Sequence, residues 1–431
     1  MLDKIFAKIE KFVPLKWRWV LGHEGFKRYF ANTGWMFAGQ WFSLLIAFFI
    51  GAWIARYLGP ENYGILNYAI AFAGLFSFIA NLGIDQILSR ELVKSPEKRD
   101  ELLGTGFKLK IIGGLIAFSA ASLSAFLVET DYLTRILIIV FSASFILQAI
   151  NVISLYFQAE VRAKDNVKVQ FLTTLISSFL KIGVILTSHG IFWLLLVFTL
   201  DFLWQGIGFI KIYRQAGLRI SAWKFNQELA REFWRGAWPL MLSGAAVVIY
   251  AKIDQVLIGF ILGPKEVGLY ASAVKLAEVW YFIPSIICAS LFPAIINAKK
   301  IGVEIYQHRL KNLYILLVAL AVLIALIVTV LAKPIVVFLF GREYLAASGV
   351  LQIYIWSSVG LFWGWALSQY LIAENLIKTI FLINFLAMII NVGLNFLFIP
   401  RLGISGAAYA TLVAYFAVPV LFFSFRRYLT R

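Results

Sequence analysis

Leu58-Gly59-Pro60-Glu61-Asn62-Tyr63-Gly64-Ile65 recurs 204 residues later as Leu262-Gly263-Pro264-Lys265-Glu266-Val267-Gly268-Leu269, and each copy joins two long apolar runs. A duplicated hairpin of membrane helices is the pattern of a chain built from two related bundles. The rest of the sequence agrees with that reading. Of 431 residues, 61% are hydrophobic and 14% charged, and the mean hydropathy is +0.85. So little polar surface cannot cover a water-soluble globule of this length, so lipid is the solvent for much of the chain.

Apolar stretches of about 20 residues match a hydrocarbon core of about 30 Å. Twelve are present, near 32–55, 65–87, 110–128, 134–157, 170–188, 191–210, 237–262, 268–294, 312–332, 349–373, 377–399 and 404–425. The runs are unbroken rather than alternating, and backbone groups in lipid must bond within their own segment, which predicts helices and not barrel strands. The expected fold is an all-α polytopic membrane protein of about twelve transmembrane helices in two parallel six-helix repeats. The expected organisation is an amphipathic cytoplasmic surface segment (1–31), an N-terminal bundle (32–210), a cytoplasmic amphipathic linker (211–236) and a C-terminal bundle (237–431). Leu2, Ile5, Phe6, Ile9, Phe12 and Val13 alternate with Lys4, Lys8 and Lys11 at helical spacing, as in a helix lying on anionic headgroups.

The net charge of +17 raises the question of nucleic acid. The placement of the charges argues for topology instead. With the N-terminus in the cytoplasm, 30 of the 39 Lys and Arg fall on inner segments and 6 on outer ones, leaving Lys181, Lys252 and Lys275 within helices. This bias predicts both termini in the cytoplasm. No basic tract is long or aromatic enough to bind nucleic acid. The single cysteine, Cys288, has no intrachain partner, and His23, His189 and His308 are too scattered to ligate a metal. No phosphate-cradling Gly-rich loop ending in Gly-Lys-Ser/Thr is present to hold ATP.

Further motifs carry a family resemblance. Asn32-Thr33-Gly34-Trp35, Arg56 through Gly64, Leu82-Gly83-Ile84-Asp85 through Ser89-Arg90-Glu91-Leu92, Lys252-Ile253-Asp254, Leu339-Phe340-Gly341-Arg342-Glu343-Tyr344 and Gly403-Ile404-Ser405-Gly406-Ala407-Ala408 occur in order along nearly the whole chain. Together they resemble the Wzx-type flippases of O-antigen and polysaccharide repeat units. These form the polysaccharide transporter branch of the multidrug/oligosaccharidyl-lipid/polysaccharide exporter superfamily. The resemblance implies a multi-pass protein of the inner (cytoplasmic) membrane that flips a polyprenyl-diphosphate-linked oligosaccharide to the outer leaflet. It implies membrane lipids, and a polysaccharide polymerase or other assembly proteins, as partners, and no cofactor beyond a coupling ion, H+ or Na+.

Such a cargo needs a polar, preferably cationic cavity, so ionisable groups near the midplane are the informative ones. The short turn at His189-Gly190 places Lys181 and Asp201 at similar depth. Thr174, Ser177, Ser178 and Lys181 form one polar stripe. The pair reads either as a bridge locking two helices or as a coupling-ion site at Asp201 gated by Lys181. Lys275 and Glu278, three residues apart, can pair on one face. Lys252 and Asp254, two apart, cannot neutralise each other along their own helix. Lys252 shares a face with Gln255 and reads as a diphosphate-binding cation or as an interhelical bridge to Glu278.

The candidate substrate-binding residues are therefore Lys252, Lys275, Lys181, Gln255 and Asn391, the last from a row of amides with Asn384 and Asn395. The candidate ion-coupling residues are Asp201, Asp254 and Glu278. Asn67, Ala71, Gly74, Phe78, Asn81 and Asp85, with Gly39, Gln40 and Ser43, suit close helix packing. Arg56 suits a snorkelling anchor, Asp85 lies beside Arg90, and Pro239 is the expected hinge.

Two other function classes fit less well. An ion-coupled multidrug exporter of the same superfamily needs carboxylates rather than lysines at midplane. A glycan polymerase or ligase needs acid/base groups on a sizeable outer loop, and the longest, 333–348, carries only Lys333, Arg342 and Glu343.

Overall fold

The computed structural model describes residues 24–374 and 376–429, and among them every regular element is a helix. Eleven stretches are long and apolar enough to cross a membrane. The first of them is two passes, because Gly59 interrupts it with non-helical dihedrals. The twelve passes are α1 (24–58), α2 (60–74, continued by Ser77–Asn81), α3 (Arg99–Val128), α4 (Tyr132–Ala159), α5 (Ala163–Leu186), α6 (Ile191–Gln215), α7 (Gln227–Leu262), α8 (Pro264–Ile301), α9 (Val303–Phe340), α10 (Ala347–Ala373), α11 (Ile377–Leu402) and α12 (Ile404–Leu429). The surface segment expected at 1–31 lies outside the described residues up to position 23, and the backbone of 24–31 runs helically into α1.

The repeated motif is a repeated turn in space. Gly59 has φ 68° and ψ 171°, and Gly263 has φ 99° and ψ 174°. That region is essentially closed to side chains with a Cβ. The proline that follows each glycine starts the next helix, where its missing N–H costs nothing. The two hairpins then pack against each other through Gly64 and Gly268. A Cβ on Gly64 would collide with the Pro264 carbonyl, and one on Gly268 with the Pro60 carbonyl. This reciprocal contact brings the two halves together at the turn end of the molecule. Arg56 adds to it by donating to the Phe338 carbonyl (2.6 Å) at the open end of α9, and Tyr344 Oη donates to the Ala55 carbonyl (2.7 Å). Arg56, expected as a snorkelling anchor, is thus an inter-bundle tie.

At the opposite end the connection 216–226 lies on the N-terminal bundle. The Lys224 N–H donates to the Asp100 carbonyl (3.1 Å), the Asn226 N–H to Thr105 Oγ1 (3.0 Å), and Asn226 Nδ2 to Glu101 Oε2 (3.0 Å). Asn226 also caps α7 by accepting from the Glu228 and Leu229 N–H groups. Phe233 and Ala237 of α7 are buried with Leu88, Leu102 and Phe157, inside the N-terminal bundle. Leu257 and Ile258, further along α7, belong to the large core shared with α8, α9 and α10. One helix therefore serves both bundles; Leu240 and Met241, just past Pro239, still pack against the N-terminal cluster, so the helix leaves that bundle beyond the proline.

Candidate functional site

A cavity of about 460 Å³ opens between the bundles, walled by α1, α5 and α6 on one side and α8 on the other. The polar stripe of α5 faces it. Lys181, 8% exposed, reaches across to α6 and donates to Asp201 Oδ2 at 2.9 Å, with its ammonium 3.7 Å from the centre of the Phe198 ring. Lys181 and Asp201, at similar depth on either side of the His189-Gly190 turn, thus form a contact ion pair. Asp201 Oδ1 is buried with no hydrogen-bond partner among the described residues. Gln205, one turn on, accepts from Asn151 Nδ2 at 3.1 Å.

Lys275 and Glu278 both line this cavity, yet they form no contact pair among the described residues. Lys275 extends toward α1, where a Cβ on Gly51 would collide with its Nζ, and it lies within electrostatic reach of Lys181. Glu278 lies within electrostatic range of Lys252 and Asp254. Helix α8 thus turns a cation toward one bundle and a carboxylate toward the other. The helical spacing made pairing possible, but in the fold the two side chains have different neighbours.

Asp254 is 3% exposed and held by two donors, Tyr270 Oη on Oδ2 and the Gln255 N–H on Oδ1 (2.8 Å). Lys252, half-buried on the same helix, is in electrostatic range of Asp254 and Glu278 without a contact bridge to either. Gln255 is buried. Asn391 is fully buried, and its Oδ1 accepts from Asn395 Nδ2 at 3.1 Å. Asn391 Nδ2, Asn395 Oδ1 and Thr411 Oγ1 are buried without partners. The six midplane charges, Lys181, Lys252, Lys275, Asp201, Asp254 and Glu278, balance formally, but only Lys181 and Asp201 are in contact.

Two features escaped the sequence reading. Five tyrosines, Tyr250, Tyr270, Tyr281, Tyr354 and Tyr415, lie within electrostatic range of Glu278. They come from α7, α8, α10 and α12, and no local spacing links them. The partner of Asp85 is not Arg90 but Lys110 of α3, at 2.5 Å, while Arg90 binds Glu91 at 2.8 Å.

Comparison with known proteins places this geometry. The family model described as polysaccharide biosynthesis protein matches residues 29–299, and that of the lipid II flippase MurJ matches 171–429. A probable flippase of Haloferax volcanii, AglR, is 23% identical over 211 residues, which are 48% of this chain. The aligned part spans 42% of that relative's length. An inward-facing multidrug resistance transporter of the MATE family shares the fold with a TM-score of 0.71 at 14% identity, over 90% of this chain and 94% of its own. The lipid II flippase MurJ in an inward closed conformation gives 0.68 at 18%, over 91% and 87%. These relatives are transporters and flippases rather than enzymes. With both family models spanning more than half of its length, the chain belongs to the polysaccharide biosynthesis protein family, a flippase branch of the multidrug/oligosaccharidyl-lipid/polysaccharide exporter superfamily.

Proposed function

We propose that the protein flips a polyprenyl-diphosphate-linked oligosaccharide from the cytoplasmic to the outer leaflet of the cytoplasmic membrane, for cell-surface polysaccharide assembly. The observation that carries the reading is Lys275, a cation without a contact carboxylate on the wall of the inter-bundle cavity, beside the Lys181–Asp201 pair. A diphosphate entering there finds one free ammonium and a second that it can draw from Asp201 by competition. The prenyl tail stays in lipid.

Coupling to an ion gradient fits the same geometry. A diphosphate that takes Lys181 leaves Asp201 as a free carboxylate, ready for H+ or Na+. Asp254, buried in the C-terminal bundle, is the second carboxylate offered for ion coupling. Alternating access then consists of opening the turn end, which is the outer face if the basic segments are cytoplasmic, and closing the other. A downstream polymerase or other assembly protein would receive the product.

The test is movement of a polyprenyl-diphosphate oligosaccharide across liposomes containing the purified chain. Lys275→Ala is expected to lower the rate roughly ten- to hundredfold, the loss of one hydrogen-bonded charge. Lys181→Ala should act in the same direction, and Lys252→Ala less, because Lys252 does not line this cavity. Retention of full movement in Lys275→Ala would remove the cationic site, and efflux of organic cations without lipid movement would favour the multidrug reading of the same fold.

A further inference from the structure

A second cavity, of about 300 Å³, lies in the C-terminal bundle among α7, α10, α11 and α12. It is the repeat counterpart of the first. Gly190-Ile191 and Gly403-Ile404 start α6 and α12 with an offset of 213, under which Phe202 corresponds to Tyr415 and Gln205 to Val418. All four line their respective cavities. The two cavities differ in chemistry. The first is lined by Lys181, Asp201, Lys275 and Glu278, and no described residue on the wall of the second is charged.

The second cavity is nonetheless polar and aromatic. Asn384, Tyr250 and Tyr415 line it, the two tyrosine rings meeting edge to face at 5.6 Å, and no hydrogen bond ties these three side chains among the described residues. Gln369 uses its amide nitrogen on the Trp365 carbonyl at 3.4 Å, which leaves its Oε1 free. Trp365 lines the cavity and is 39% exposed. Gly360 lets the backbone of α12 approach to within what a Cβ would leave at 2.8 Å from the Tyr415 carbonyl carbon, which sets the floor. Glu278 links the two spaces, since it lines the first cavity and lies in electrostatic range of Tyr250 and Tyr415 in the second.

We propose that this second cavity receives sugar rings of the cargo while the charged cavity holds the diphosphate. The inference rests on the flipping reading above and divides the cargo between the two repeats. Uncharged amides and phenols suit vicinal hydroxyls, and an indole face suits the C–H face of a pyranose. An acyl chain in the same space would leave the amides and hydroxyls desolvated without partners. A free anion would find no cation. The volume lies at the small end of the range for ligand pockets, which fits a sugar unit and not a long chain.

The experiment is saturation-transfer-difference NMR of the detergent-solubilised full chain with a panel of free hexoses, hexuronates, N-acetylhexosamines and their disaccharides. It is run beside liposome transport of bare polyprenyl diphosphate. At least one sugar is expected to bind the parent chain, with affinity falling roughly tenfold in Trp365→Ala and in Asn384→Ala. Trp365→Phe should restore most of it, which separates a lost ring contact from misfolding. Bare polyprenyl diphosphate should move equally in all variants. Sugar binding unchanged in both alanine variants, or no sugar bound by a parent chain that does move lipid-linked cargo, would overturn the proposal while leaving flipping intact. Sugar binding by a parent chain that moves no lipid would leave the cavity assignment standing and remove the flipping reading.

Discussion

The Lys181–Asp201 pair shows what a single residue contributes when lipid and protein surround it. Two ions this deep owe their state to each other, so removing one partner is worse than removing both. Asp201→Ala, which leaves a lysine only 8% exposed without its carboxylate, is expected to destabilise the protein by about 3–5 kcal/mol. Lys181→Met combined with Asp201→Leu should recover most of that loss while still lacking transport. Thermal unfolding in detergent reads the first effect and the liposome assay the second. Equal destabilisation in the single and double variants would mean that the pair is merely packing. Asp131 provides a simpler case outside the membrane-spanning segments. Its side chain accepts from the Thr134 Oγ1 (2.7 Å) and N–H (2.8 Å) at the start of α4, which holds its carboxyl below the usual range. The stabilisation is therefore present above the unfolded-state pKa of about 3.9 and disappears as pH falls through the lower folded value. Asp131→Ala should lower stability by about 1 kcal/mol at neutral pH, with the difference vanishing in acid melts.

At the level of the element, the repeated hairpins act as the closing surface. Gly64 and Gly268 admit each other's proline carbonyls only because neither carries a Cβ. Gly268→Val is expected to hold the turn ends apart without unfolding either bundle, since the obstruction falls at their mutual contact. Cysteines introduced by Glu61→Cys and Lys265→Cys should crosslink readily in the parent background and poorly in Gly268→Val. Equal crosslinking in both would show that the hairpins can slide past the added methyls. Arg56 and Tyr344 bind carbonyls of the opposite half beside this contact, so opening must break hydrogen bonds as well as apolar contacts.

For the whole molecule, the bundles are two bodies joined by a helix that belongs to both. The connection 216–226 is fastened to α3, and the first part of α7 is buried in the N-terminal core. Relative motion has to occur further along α7, and Pro239, at the last stretch packed on the N-terminal core and lacking one backbone hydrogen bond, is the expected pivot. Pro239→Ala should slow transport several-fold, on the order of the effect of about 1 kcal/mol of added hinge stiffness, and leave insertion and thermal stability unchanged. Unaltered transport in that variant would move the pivot elsewhere.

The sequence by itself determined the helical class, the twelve passes, the duplicated turn and the similar depth of Lys181 and Asp201. Each follows from a local rule: apolar length against bilayer thickness, a glycine dihedral closed to other residues, and equal depth on either side of a short turn. Only the tertiary structure decided which charges remain apart. Lys275 and Glu278 are compatible neighbours along α8, but the helix sits between two bundles, and its side chains answer to Lys181 on one side and to Lys252 and Asp254 on the other. Asp85 likewise joins a lysine 25 residues away rather than the nearby Arg90. The tyrosines around Glu278 and the uncharged second cavity come from helices far apart in the chain. Helical periodicity fixes which face a residue shares with its neighbours, and the environment that face meets is a property of the packed bundles.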